Sequence, residues 1–254
     1  MKEQLLSNLN KLLKETETLV IASSPGEGRF VNTLLGIYRI SFFTVRDIVH
    51  LSSNRDSSLS ILDLSRKILE YAIAIEYMIM KGKEEYATKF QDYLNVEAHN
   101  EIHFFSSIGQ DPLKTEIYPE GVTEIENEYS KFNTKIKQSH SWSGNNLEQQ
   151  IKSLYDGKFL SDFDNSRLAQ IYVWACRANH PSPFIVKGYL EDEGKEILDI
   201  FCLNLALVSV ISFYIRLTQR YIDEIRALKV GDEYGELVNN IKLIWEEVNA
   251  LKLD

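Results

Sequence analysis

The chain has 254 residues, of which 44 % are hydrophobic and 26 % charged, and its net charge is −9. That balance suits a folded globular protein and excludes a disordered one. It also lacks the basic excess that a duplex-binding surface shows, so nucleic acid is not the expected partner.

The first residues, MKEQLLSNLNKLLKETE, are polar-amphipathic and unlike a signal peptide. Leu5, Leu6, Leu9, Leu12, Leu13, Leu19 and Val20 predict a helix over residues 4–21. The turn Ser23-Ser24-Pro25-Gly26-Glu27-Gly28 ends it. Its Gly-Glu-Gly lacks the remaining residues of a Walker or dinucleotide pattern, so it is not read as a phosphate loop. Residues 30–52 form a second helix, with Arg46 and His50 four apart on one face.

The segment Ile61 to Met80, ILDLSRKILEYAIAIEYMIM, is the longest strongly apolar run in the first half. From Ile68 onward it is apolar almost all round, which predicts a helix buried on most faces. Asp63, Arg66, Lys67 and Glu70 share one narrow stripe. That stripe is either a solvated edge with an i,i+4 pair or an internal polar site. In the second case a buried charge pair needs further polar partners from elsewhere in the chain.

Residues 83–107 predict a more polar helix carrying Glu97, His99, Glu101 and His103. His99 and His103 have the i,i+4 spacing of metal ligands. Asn100 after the first His rules out the zincin motif, and Glu97 lies two residues before His99 and not three as in di-iron bundles. They are therefore read as a polar helix face, and no metal or cofactor is expected. Residues 122–138 predict a charged helix. The run SHSWSGNN, Ser139 to Asn146, reads as a loop anchored by Trp142. Leu147 to Tyr155 and Arg167 to His180 follow as helices, with Pro181 and Pro183 stopping the latter. The apolar stretch 194–229, kinked or broken, and a last amphipathic helix, 233–251, close the chain. Within the former, Ile197 to Leu217 nears the length of a membrane span, but Asp199 and Asn204 favour a central bundle helix. Cys176 and Cys202 lie in apolar helical patterns and read as buried free thiols of a cytoplasmic protein. Strand signals are sparse, so the expectation is an all-α, single-domain bundle of roughly eight helices around a central apolar pair.

Three blocks stand in a characteristic order: SRKILEYAIAIEYM with Arg66 and Glu70, SWSGNNLEQQI with Trp142, and IYVWACRANHPSP with Tyr172 and His180. Their order and spacing resemble the bacterial family DUF5677. Its members show an Arg-x-x-x-Glu helix, a Trp-x-Gly segment and a Tyr-x-x-x-Ser-x-x-x-His block. The resemblance extends over about residues 30 to 215. It departs at Cys176, where the family usually has Ser. The family's function is unassigned, so the resemblance implies site positions and no activity. It implies a cluster of Arg66, Glu70, Tyr172 and His180, either catalytic or a structural network pinning helix register, with Trp142 as a lid.

Two functional readings follow. In the first, the chain is a helical interaction or regulatory subunit that binds a protein partner or a second copy through an exposed face such as Met1–Val20 or Lys229–Leu251. In the second, it cleaves phosphodiesters without metal, with His180 as general acid/base and Arg66 or Arg177 holding phosphate. Arg177 and His180 have two residues between them and Arg46 and His50 have three. Neither separation fits the HEPN type of all-α nuclease.

Overall fold

The computed structural model describes residues 1–22, 26–53, 57–109, 122–139, 141–160, 162–179, 182–190, 192–228 and 234–250. Among these, every regular element is a helix: α1 (Lys2–Ala22), α2 (Arg29–Leu51), α3 (Ser58–Lys81), α4 (Lys83–Asp92), α5 (Leu94–Ser107), α6 (Val122–Ser130), α7 (Thr134–Ser139), α8 (Leu147–Asp156), α9 (Asp162–Asn179), α10 (Pro183–Gly188), α11 (Asp192–Leu228) and α12 (Gly235–Asn249).

The all-round apolar character of Ile68–Met78 makes α3 the centre of this bundle. It packs against α11, α9, α2, α8 and α4, and Ile68, Leu69, Ala72, Ile73, Ile75 and Met78 are essentially inaccessible. No Gly or Pro interrupts it. It stops at Gly82, whose φ of 128° an L side chain rarely adopts. The partner, α11, is one unbroken helix of 37 residues. Inside it Ser209, Ser212 and Thr218 return their hydroxyls to the carbonyls of Leu205, Val208 and Tyr214, one turn back, which satisfies these groups within an apolar stretch. The helix is long and apolar enough to cross a membrane, yet 72 % of its apolar window is buried inside the protein.

One acidic group sits in the α3–α11 seam. Glu76 is 1 % exposed. Its Oε1 accepts Nε of Arg216 at 2.7 Å and Nε of Arg220 at 2.8 Å, and its Oε2 accepts Nη2 of Arg220 at 2.9 Å. Arg216 also donates through Nη2 to the carbonyl of Phe159 at 2.6 Å. Hydrogen bonding to Glu76 raises the Arg220 pKa above its ordinary value. A second buried knot joins α1, α2 and α11. Thr16 Oγ1 lies 2.9 Å from the Tyr214 hydroxyl, and the Tyr38 ring stacks between those of Tyr214 and Tyr221.

The turn before α2 has a plain structural use. The first N–H groups of a helix need acceptors. Here the Glu84 carboxylate of α4 supplies them, taking Arg29 N–H at 2.9 Å and Phe30 N–H at 3.3 Å. Gly28 has φ 102°, and a Cβ there would lie 2.9 Å from Glu84 Oε1. The end of the helix that attracts anions is thus filled by the chain's own carboxylate.

Several expected boundaries shift. The single helix over 83–107 divides at Tyr93, which is 8 % exposed and packs with Val96 and Ile136. The helix over 122–138 divides at Asn133, whose Oδ1 caps α7 by accepting Ile136 N–H at 2.9 Å. Pro181 and Pro183 were expected only to end a helix; Pro183 instead opens α10, where its missing N–H costs nothing. The stretch 194–229 is one continuous helix as far as Leu228, not a broken one.

Replacing Glu76 with Ala leaves two guanidiniums in the seam without their carboxylate. The expected loss of stability is about 3 kcal/mol, read from urea unfolding midpoints. A loss under about 1 kcal/mol, the scale of an exposed pair, would show that the seam does not depend on this triad.

Candidate functional site

The polar stripe of α3 does find partners on α9. Arg66 Nε donates to Glu70 Oε1 at 2.7 Å, and its Nη1 donates to Cys176 Sγ at 3.6 Å. The guanidinium carbon lies 5.6 Å from the centre of the Tyr172 ring. Tyr172 and Cys176 are one turn apart on α9, which presents both to Arg66. Burial opposes the Arg66 charge, but the hydrogen bond and charge of Glu70, with Cys176 and Tyr172, outweigh it and raise the Arg66 pKa. Burial, reinforced by Cys176, also raises the Tyr172 phenol against the pull of Arg66. His180, the fourth expected member, lies outside the described residues, as do Pro181 and the side chain of Asn179. Cys176 therefore completes the described cluster, and its sulfur accepts where the family's Ser hydroxyl would stand.

This seam is neither sealed nor open. The Arg66 and Glu70 side chains are 22 % and 40 % exposed. A pair that wet contributes about 0.2–1 kcal/mol, so it orients α9 on α3 more than it holds the fold together. Glu70 turns its other side to a cleft of about 800 Å³ whose walls include Tyr71, Tyr93, Glu97 and Trp142. Among the described residues, two carboxylates and no basic side chain line that cleft, and burial raises the Glu97 pKa.

Trp142 is a wall of this cleft and not a lid over Arg66 and Tyr172, which do not line it. Its ring meets the edges of Tyr77, Tyr86 and Phe90 at 5.4–6.3 Å. Its loop is held from several sides: Asn145 Nδ2 donates to the Tyr77 hydroxyl at 2.8 Å, Gln150 Nε2 donates to the Asn145 carbonyl at 2.9 Å, and Asn146 forms a reciprocal cap with Gln149 at the start of α8. Arg177 points away from the cluster. Its guanidinium lies 5.0 Å from the Trp174 ring centre and 5.1 Å from that of Phe184.

That stacking belongs to a larger feature that the sequence reading missed. Trp174 of α9 contacts Phe184 of α10 and Phe201 of α11, with ring centres 5.4 and 4.7 Å apart. Around them Val173, Val186, Leu190, Ile197 and Ile200 are all exposed, Leu190 to 77 % and Ile197 to 62 %. The i, i+3, i+4 spacing of Ile197, Ile200 and Phe201 was legible as one face of α11, but in a helix this apolar nothing marked that face as the one left uncovered. The faces expected to be exposed are, conversely, covered. Leu5, Leu9 and Leu12 of α1 and Ile241, Ile244 and Val248 of α12 are all in the chain's own core.

Both cysteines were expected to be buried. Cys202 is, and burial, aided by Asp199, pushes its thiol up to about 11. Cys176 is only partly buried because it sits at the rim of the Arg66 seam. A thiol titration of the native protein with an aromatic disulfide should therefore modify one cysteine, absent in Cys176→Ser, and reach the second only in denaturant. Two silent thiols would mean that the seam is closed.

No curated protein and no solved structure matches the chain. One family profile does, the family of unknown function DUF5677, over residues 31–197. The match ends short of the expected limit near residue 215, and it takes in the Arg66–Glu70 stripe, the Trp142 loop and all of α9. The chain belongs to the family DUF5677.

Proposed function

We propose that the chain is a helical interaction subunit that pairs with a second copy of itself through the exposed face of α9, α10 and α11. The observation that carries this reading is the joined cluster of Trp174, Phe184 and Phe201 with Leu190, Ile197 and Ile200 left exposed beside it. Aromatic side chains with a neighbouring arginine are what the centres of protein interfaces are enriched in, and large exposed apolar patches mark association sites. Both signs of charge border this face, Lys187 on α10 and Glu193 at the start of α11. A two-fold arrangement sets each patch against its own copy, and a face with both signs can meet itself without like-charge repulsion. In this reading the Arg66–Glu70–Tyr172–Cys176 seam is a positioning device, because it fixes α9, and with it Trp174, on the α3 core. Two free thiols fit a reducing, cytoplasmic setting.

Light scattering coupled to size exclusion tests this on the untagged chain. The expected result is a dimer, with Leu190→Glu and Ile197→Glu each weakening it by at least about 30-fold while circular dichroism and melting temperature stay unchanged. A monomeric parent at the highest soluble concentration, or variants that remain dimeric, would overturn the proposal.

Phosphodiester cleavage through His180 ranks second. It needs a guanidinium turned towards substrate, whereas Arg66 is engaged by Glu70 and Cys176 and Arg177 by two rings. Metal-independent cleavage of labelled single-stranded RNA that disappears in His180→Ala would move it to first place.

A further inference from the structure

The two histidines read from the sequence as a polar helix face have a third partner that the sequence did not reveal. Helices α5 and α6 are packed together by Ala98, Ile102 and Ile125, a small buried core of their own. That contact sets Glu126 opposite His99 and His103. Glu126 Oε1 lies 2.9 Å from His99 Nδ1 and 3.4 Å from His103 Nε2. The imidazole centres are 4.3 Å apart, and one ligand atom from each of the three residues falls within 4.8 Å of both others. Glu97 and Glu101, the carboxylates nearest the histidines in sequence, are not the ones that converge here.

These distances fit a coordination shell as well as the hydrogen bond made without an ion. With bonds of about 2.0–2.1 Å to nitrogen and oxygen, the ligand atoms of a tetrahedral zinc site are about 3.3 Å apart. The two nitrogen–oxygen separations straddle that edge length, so an ion could enter with side-chain shifts of a few tenths of an ångström. The least adjustable ligand is already fixed. The His99 side chain is 13 % exposed, and its ring lies flat on Tyr129, with 3.4 Å between centres and 8° between planes. Packing therefore sets the direction of Nδ1 before any ion binds, which is the preorganisation that a metal site requires. His103 and Glu126 stand on the solvent side, at 64 % and 40 % exposure, and leave an entry path and a position for water.

We propose that His99 Nδ1, His103 Nε2 and Glu126 Oε1 bind one divalent transition-metal ion, with zinc the best fit and solvent in the fourth position. Two imidazole nitrogens and one carboxylate suit zinc and its first-row neighbours. Magnesium and calcium take all-oxygen shells and are excluded by the same donor set. Binding uses neutral imidazoles and an ionised carboxylate, so it releases whatever protons the histidines carry. The ion bridges α5 and α6, and so ties Val122–Ser130 to the rest of the bundle. The proposal stands independently of self-association through α9, α10 and α11, which shares none of these residues.

The test is calorimetric titration of the untagged, chelator-stripped full chain with zinc chloride, repeated with cobalt(II) for its visible bands and with magnesium chloride. The expected result is one zinc per chain, a raised melting temperature, four- or five-coordinate cobalt bands and no magnesium binding. His103→Ala and Glu126→Gln, both at the solvent side, should keep the parent's circular dichroism and lose at least about tenfold in zinc affinity. No zinc binding by the parent would overturn the proposal and leave the cluster a histidine–carboxylate hydrogen bond. So would zinc binding undiminished in both variants, since the ion would then be held elsewhere.

Discussion

The bundle is organised by one carboxylate that has nowhere to go. Glu76 lies in the central helix of the bundle, on a face that must be covered, and a charge in that position is tolerable only with opposite charges and hydrogen bonds around it. Arg216 and Arg220 meet the need because they stand one turn apart on α11 and reach both carboxylate oxygens. Apolar surfaces can slide over one another at little cost, but three ionic hydrogen bonds cannot. The triad therefore sets the register of α3 against α11, and α1, α2 and α12 pack on a pair whose alignment is already fixed. Its contribution is more to uniqueness than to net stability, because the cost of desolvating three charges offsets most of their attraction.

The polar stripe of α3 that faces α9 works under looser terms. Arg66 and Glu70 are wet enough to be weakly coupled, and they hold α9 through a thiol and a phenol ring, not through a second buried charge. One helix thus has a buried ionic seam towards α11 and a half-exposed polar seam towards α9. The exposed aromatic cluster joins this side to α11 through Trp174 and Phe201, while Leu168, Ile171 and Ala175 anchor the inner face of α9 in the main core. The acidic cleft beside Trp142 opens along the same flank, with Glu70 shared between cleft and seam.

The parts legible in the sequence were those that depend on local pattern. Helical periodicity located α1, α2, α3, α8 and α12 to within a few residues, and the Arg66–Glu70 stripe was legible as one that needed partners, of which Cys176 and the Tyr172 ring are described. What escaped depends on tertiary pairing or on signals that point two ways. The break at Tyr93 has no Gly or Pro to announce it. Pro183 was a stop for one helix and a start for the next. Glu76 was visible as an acid inside an apolar run, and Arg216 as a base inside another; asking where a buried Glu finds its cation would have paired them. Glu126 sat among so many carboxylates in its segment that only the packing of Ala98, Ile102 and Ile125 could single it out. The uncovered face of α11 was hidden by its own hydrophobicity, since a helix apolar all round gives no hint of which side remains bare.

Glu76 and its two arginines are 140 and 144 positions apart in the chain, and this separation bears on synthesis. On a ribosome, α3 emerges with its carboxylate long before either guanidinium exists, so the nascent first half carries an uncompensated charge on the surface it must bury. The pairing of Glu76 with its counter-ions can be completed only once α11 is made. The span common to the family, residues 31–197, contains the acid and neither base. Excised by itself, that span would be a fragment still missing its counter-ions, and the boundary of shared sequence would cut through a salt-bridged unit and not between two modules.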